Sequence, residues 1–96
     1  MSVYVDDMRA PFGRLIMCHM VADTPAELRA MADKIGVALK WVQHPGTYRE
    51  HFDICLSKRA RAVKAGAKEI AWREYGEMVR ARRLASGLLT KPEDGV

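Results

Sequence analysis

The sequence predicts a small α/β domain, a sandwich of a four- to five-stranded, partly parallel sheet with about three helices. Three observations predict it. Short apolar runs ending in polar residues alternate with stretches of helical periodicity. The first helical stretch carries a full set of start and stop signals. The chain has 96 residues, 49% of them hydrophobic, which suffices for one modest core. A single domain is expected over residues 1–89, with a frayed tail over 90–96.

Val3-Tyr4-Val5 reads as a short strand ending in Asp6-Asp7. Residues 6–14 read as a loop, with Pro11 and Gly13 as breakers. Leu15 to Val21 is apolar apart from Cys18 and His19 and bounded by turn residues, which suits a buried strand. The first helix follows. Thr24 is its N-cap, Pro25 takes the first helical position and Glu27 completes a capping box. Leu28, Met31, Ala32 and Ile35 mark its apolar face, and Gly36 stops it.

Val37 to Val42 reads as a strand with Trp41 as a packing anchor, and His44-Pro45-Gly46-Thr47 as an exposed turn. Phe52 to Cys55 is again a short strand. Ser57 is placed to cap a second helix that runs to Gly66. Lys68 to Trp72 reads as a last strand and residues 73–86 as a third helix stopped by Gly87. Glu74 and Glu77 near the start of that helix, and Arg80, Arg82 and Arg83 near its end, suit its dipole. Trp41, Trp72 and the methionines are expected in the core.

No apolar run approaches a membrane span, and the N-terminus lacks the basic start and long apolar stretch of a signal peptide. Cys18 and Cys55 have no zinc spacing and no CxxC form, and are expected as reduced, buried thiols in a cytoplasmic protein. The net charge is +4. Residues 1–50 carry six Lys/Arg and six Asp/Glu, so the whole excess lies in residues 51–96. That asymmetry points to an anionic partner, nucleotide or nucleic acid first, with a solvated basic surface that keeps the protein soluble as an equally weighted reading.

His51-x-Asp53 is the strongest local signal. Strand alternation puts His51 and Asp53 on one face, with Phe52 and Ile54 on the other. His19 and Asp23 end a second apolar run, and Asp6-Asp7 a third. In a parallel sheet, strand ends line the ligand crevice, so His19, His51, Asp53 and Asp23 are candidate catalytic residues. Asp6, His19, His51 and Asp53 are candidate ligands of a divalent metal such as zinc, manganese or iron. Without a metal, the histidines suit general acid–base work, and structural pairing within the core is the competing reading. Arg59, with Lys58 and Ser57 at a helix N-terminus, is a candidate phosphate clamp. Arg14 over the first strand end and Tyr48 in a lid are further candidates for substrate contact. No Walker loop, GxGxxG or GxSxG is present, which removes the familiar nucleotide-loop and serine-hydrolase readings.

The order Val3-Tyr4-Val5-Asp6, Gly13, Cys18-His19-Met20, Ala22-Asp23, His51-Phe52-Asp53, Lys58-Arg59 and Ala65-Gly66-Ala67 resembles a small family of bacterial and phage proteins classed as a domain of unknown function. The resemblance covers roughly residues 2–89. It implies that Asp6, His19, Asp23, His51, Asp53 and Arg59 are the positions to watch, and supplies no activity. Cys18 stands where many relatives have Ser, and Ile54-Cys55 where some have Val-Pro, which weakens any catalytic role for either cysteine. The full loop from His44 to Glu50 resembles the phage-like branch and so implies a host cytoplasm.

Two functions compete. One is a small hydrolase of a phosphodiester or nucleotide, a nucleotide signal of host defence among the substrates, using the His/Asp site. The other is a non-catalytic protein that binds or sequesters nucleotide or nucleic acid through the basic helix N-terminus. A homodimer would deepen the shallow pocket that so small a chain can form alone.

Overall fold

The computed structural model describes residues 2–90, with side chains to Ser86; of the tail expected over 90–96, Thr90 is the last residue of a helix and residues 91–96 lie outside the described residues. Five strands and three α-helices follow in the order β1 (Val3–Val5), β2 (Ala10–Phe12), β3 (Leu15–Ala22), α1 (Pro25–Ile35), β4 (Phe52–Cys55), α2 (Leu56–Lys64), β5 (Lys68–Glu69) and α3 (Trp72–Thr90). The expected α/β class is the observed one. The sheet is mixed: β1 pairs with β5 in parallel, while β1, β2 and β4 all pair with β3 antiparallel.

β3 is the spine of the sheet. Met20 pairs with both Val5 and Phe52, and Met17 with both Ala10 and Cys55. A strand has two edges, so β1 and β2 run end to end along one edge of β3 and β4 lies along the other. Between the pairs Val5–Met20 and Ala10–Met17, residues 6–9 face only Cys18 and His19. This wide bulge, where Arg9 takes a φ of 54°, aims Asp6 at the site described below.

Alternation then sorts the side chains. Val5, Cys18, Met20, Ala22, Phe52 and Ile54 point to one face and are buried. α1 supplies Leu28, Met31, Ala32 and Ile35 to the core against them, and α2 supplies Ala62. Burying each large apolar side chain stabilises the fold by roughly 2 kcal/mol. The cap of α1 forms as its sequence signals: Thr24 Oγ1 accepts from the Glu27 amide at 3.2 Å and donates to the Glu27 carboxylate at 2.9 Å. Gly36 ends the helix at φ 85°, a left-handed value.

The opposite face carries Tyr4, Met17, His19, Val21, His51, Asp53 and Cys55, and α3 lies over it. Two contacts pin α3. Asp7 accepts from the Trp72 amide at 2.7 Å, a carboxylate at a helix N-terminus. Arg82 donates to the Ala22 carbonyl at 2.6 Å.

Several expected elements differ. Residues 6–14 contain a strand, because Ala10–Phe12 hairpins onto β3 through Gly13 (φ 61°). Val37 to Val42 is not a strand: Leu39–Trp41 is a turn of 3-10 helix, and only Gln43 forms a bridge, to His51. Apolar residues there found no partner strand, and Trp41 is 61% exposed. Trp72 is also exposed, at 58%, since it starts α3 rather than ending a strand. β5 shrinks to Lys68–Glu69, and α3 continues through Gly87. α2 starts at Leu56 with Cys55 as an N-cap that makes no side-chain capping bond, so Ser57 is not its cap.

Candidate metal centre on the sheet face

His19 and Asp53 are direct cross-strand partners on β3 and β4, a relation that brings Cβ atoms to about 5 Å. His51 precedes β4 by one residue and shares the face of Asp53 by alternation. Its ring meets that of His19 edge-on, with centroids 5.2 Å apart. Asp53 Oδ1 lies 3.4 Å from His51 Nε2 and 3.9 Å from His19 Nε2. One ligating atom from each of the three residues falls within 4.8 Å of the others. The site therefore lies on the face of an antiparallel pair, within β3 and β4, rather than beyond the strand ends that a parallel sheet would offer.

The other ring nitrogens are tied back. His19 Nδ1 meets Asp6 Oδ2 at 2.7 Å, and His51 Nδ1 meets the Arg49 carbonyl at 2.6 Å. A carbonyl only accepts, so His51 Nδ1 carries a proton; the fully buried Asp6 carboxylate fixes the same tautomer in His19. Both Nε2 lone pairs then face the Asp53 carboxylate. Acceptors facing a carboxylate call for a proton or a cation between them. The proton's share of that answer is visible at His51. Burial pulls its pKa down, but the Asp53 hydrogen bond and the Arg49 carbonyl outweigh that and raise it above 6.5. The same His51 bond holds Asp53 below 3.8 against burial, with the charges of both histidines helping.

Asp6 is built in as a support. Burial pushes its carboxyl up, yet bonds from the His19 ring and amide and from the Met8 amide hold it below 3.8. Its Oδ1 takes the His19 amide at 2.7 Å, replacing the ladder bond that the bulge removes. Both oxygens are thus engaged behind the ring, and Asp6 orients His19 instead of joining the ligand atoms. Tyr75 of α3 stacks on His19 with centroids 4.2 Å apart and an interplanar angle of 11°. Burial, and then the charges of Asp6 and Asp53, push its hydroxyl up to about 12, so it stays neutral. Glu50 closes the preceding loop by accepting from the Gly46 amide at 2.8 Å and pairing with Arg29 at 3.0 Å. That loop places Arg49 and His51. The site is open at one side: the side chains of His19 and His51 are 15% and 9% exposed, while Asp53 is 39% exposed.

The remaining expected residues lie elsewhere. Asp23 accepts from the Ser2 amide and the Tyr4 hydroxyl, at 2.7 and 3.1 Å, and ties down the chain start. Arg59 is a strut rather than a free clamp, donating through Nε to the Asp6 carbonyl at 2.8 Å and pairing with Glu69 at 3.1 Å. Lys58 reaches the other way, its Nζ 3.1 Å from where a Cβ would stand on Gly36. Arg61 beside it donates to the Ile35 carbonyl, so both cations sit at the C-terminus of α1, where the dipole favours them. Ser57 lies 3.3 Å from Cys55 Sγ, and its hydroxyl and nearby backbone amides lower that thiol's pKa below 9.0. Cys55 is half-buried and faces the side of Asp53, whereas Cys18 is buried as expected. Arg14 is exposed in the turn of the β2–β3 hairpin. Tyr48 borders the cleft between its loop and α3. Sequence reasoning missed Tyr75 and the Arg49 carbonyl. No sequence signal marks either, because one depends on how α3 lies on the sheet and the other on a backbone atom.

Among the described residues no helix is long and apolar enough to cross a membrane. Comparisons with curated proteins and with solved structures found no match. A family model described as a protein of unknown function (DUF4031) matches residues 3–82, the span that holds the whole cluster from Asp6 to Tyr75, and the chain belongs to that family.

Proposed function

We propose that this protein is a small metal-dependent hydrolase of phosphodiester bonds, its divalent ion held by His19, His51 and Asp53. One observation carries the reading: two imidazole Nε2 atoms and a carboxylate oxygen converge within 4.8 Å while both Nδ1 atoms are anchored from behind. Ligands bound at about 2.1 Å in a tetrahedral shell stand roughly 3.4 Å apart. Asp53 lies 3.4 and 3.9 Å from the two rings and all three ligand atoms fall within 4.8 Å of one another, so drawing the atoms inward onto an ion completes the shell. Two imidazoles and a carboxylate suit zinc, iron or manganese. Three protein ligands leave a position open, as catalytic sites do. A divalent ion there supplies Lewis acidity toward a phosphoryl oxygen and activates water near neutral pH.

The chain's own groups do the rest. Asp6 and the Arg49 carbonyl orient the rings, as outer partners of histidine ligands do. Tyr75 walls one side of His19 against water. Asp53, the most exposed of the three, faces incoming substrate. The phosphodiester assignment draws on the basic excess of residues 51–96. The non-catalytic alternative relied on the N-terminus of α2, and Arg59 and Lys58 are engaged elsewhere.

The test is metal analysis of untagged protein, followed by assays on linear and cyclic dinucleotides and short DNA with and without chelator. Stoichiometric metal and chelator-sensitive turnover are expected. His51→Ala should lose the metal and at least about 100-fold in rate. Folded His51→Ala and Asp53→Asn variants that keep both metal and turnover would sink the proposal.

A further inference from the structure

The basic residues that sequence reasoning placed at the start of α2 are tied up, yet a second group is free. Arg49 precedes the site in its loop, and Arg80 and Arg83 stand on α3 four and seven residues after Gly76. With Tyr48 and Val79 these residues line one open groove of about 340 Å³ between the loop and the helix. The three arginines are exposed. Among the described residues none of their guanidinium groups is in an ion pair, and no carboxylate lines the groove. Like charges gathered without a counter-charge repel, and an anion in the groove relieves that repulsion.

The groove borders the residues that support the His19–His51–Asp53 cluster. Gly76, at its near end, follows Tyr75, whose ring stacks on His19. Arg49, on the facing wall, holds His51 Nδ1 through its carbonyl. Gly76 is itself informative. Glycine inside a helix costs about 1 kcal/mol relative to alanine, and a Cβ here would meet nothing within 4 Å. No packing demands a glycine, and its missing side chain leaves that stretch of the groove wall open. Arg83 stands seven residues beyond Gly76, about 10 Å along the helix, longer than one phosphate needs. Guanidinium forks match phosphate oxygens, and Tyr48 offers a ring for base stacking.

We infer that this groove binds the phosphate backbone of a short single-stranded nucleic acid, with Arg49, Arg80 and Arg83 on its phosphates and Tyr48 against a base. That it serves as the substrate track, delivering a phosphodiester to His19, His51 and Asp53, rests on the hydrolase reading; the binding itself does not.

The experiment measures fluorescence anisotropy of a fluorescein-labelled oligothymidylate about ten nucleotides long, in chelator so that nothing is cleaved, across a salt series. The wild-type chain should bind it. An R80A/R83A double variant should bind about tenfold or more weakly. Its salt slope should be smaller by roughly 1.4, because each single-strand phosphate left without its arginine removes about 0.7. Lys34→Ala, on α1 across the sheet, should bind as the wild type does. Circular dichroism and metal content of the double variant should match the wild type. No binding by the wild-type chain, unchanged affinity and slope in the folded double variant, or full displacement of the probe by an equal concentration of inorganic phosphate each overturns the inference. Failure of the hydrolase reading looks different: strand binding persists and remains arginine-dependent, while metal and turnover are absent.

Discussion

At the scale of single residues, the site turns on which nitrogen of each histidine carries the proton. Asp6 and the Arg49 carbonyl both demand a proton on Nδ1 and so leave Nε2 as the donor atom for the proposed metal. Asp6→Asn tests this. Its amide oxygen can still accept from the His19 amide, but its NH2 then faces Nδ1 and drives the ring to the other tautomer, with hydrogen on Nε2. Metal affinity should fall about 10- to 100-fold, measured by calorimetric titration. An unchanged affinity would mean the tautomer is set elsewhere. The same variant has a pH signature. The Asp6 pKa is lower folded than its ordinary 3.8. Its contribution to stability is therefore present above about 3.8 and lost as pH falls through the folded value. Asp6→Asn should flatten the acid limb of the stability profile of metal-free protein, read by denaturant unfolding between neutral and acid pH.

At the scale of elements, the work is done by the antiparallel pair β3–β4 and by the bulge opposite His19. A parallel pair would have carried candidate residues to strand ends; antiparallel registry instead sets His19 across from Asp53 in mid-strand. The bulge turns Asp6 inward and Asp7 toward α3, so adjacent carboxylates support one histidine and pin the helix that covers it. The helices show how far local signals carry. The α1 cap and stop formed as their residues dictate, because both ends are settled within about four residues of chain. Thr24→Ala should cost about 1 kcal/mol and lower the melting temperature by roughly 4–8 °C for a domain of this size, checked by thermal circular dichroism. A variant melting with the wild type would show that packing alone holds α1. The cations of α2 went the other way. Lys58 and Arg61 serve the C-terminus of α1, a contact between elements that helical periodicity registers only as a basic face.

At the scale of the whole molecule, one sheet face is spent on the core and the other carries the His19–His51–Asp53 cluster. Linkage gives the corresponding prediction. A metal that binds only the folded chain stabilises it by about 2.7 kcal/mol at a hundredfold excess over Kd, which raises the melting temperature by about 10 °C or more. Differential scanning fluorimetry with zinc or manganese should show that rise in the wild type, reversed by chelator and absent in His51→Ala. An equal rise in that variant would place the metal elsewhere.

Sequence by itself determined the α/β class, the apolar faces of α1 and of the strands, and the sharing of one face by His51 and Asp53. Each of these follows from spacing along the chain, which periodicity reads directly. It also singled out His19 and Asp6, though not their roles. Only the tertiary structure decided that His19 stands across from Asp53, that Asp6 backs the ring, and that Asp23 and Arg59 are occupied elsewhere. Those facts depend on strand direction, on a bulge four residues long against two, and on how α3 lies over the sheet. Each joins residues far apart in the chain, and no local preference specifies such contacts; they arise only when the faces that hydrophobic patterning defines are packed together.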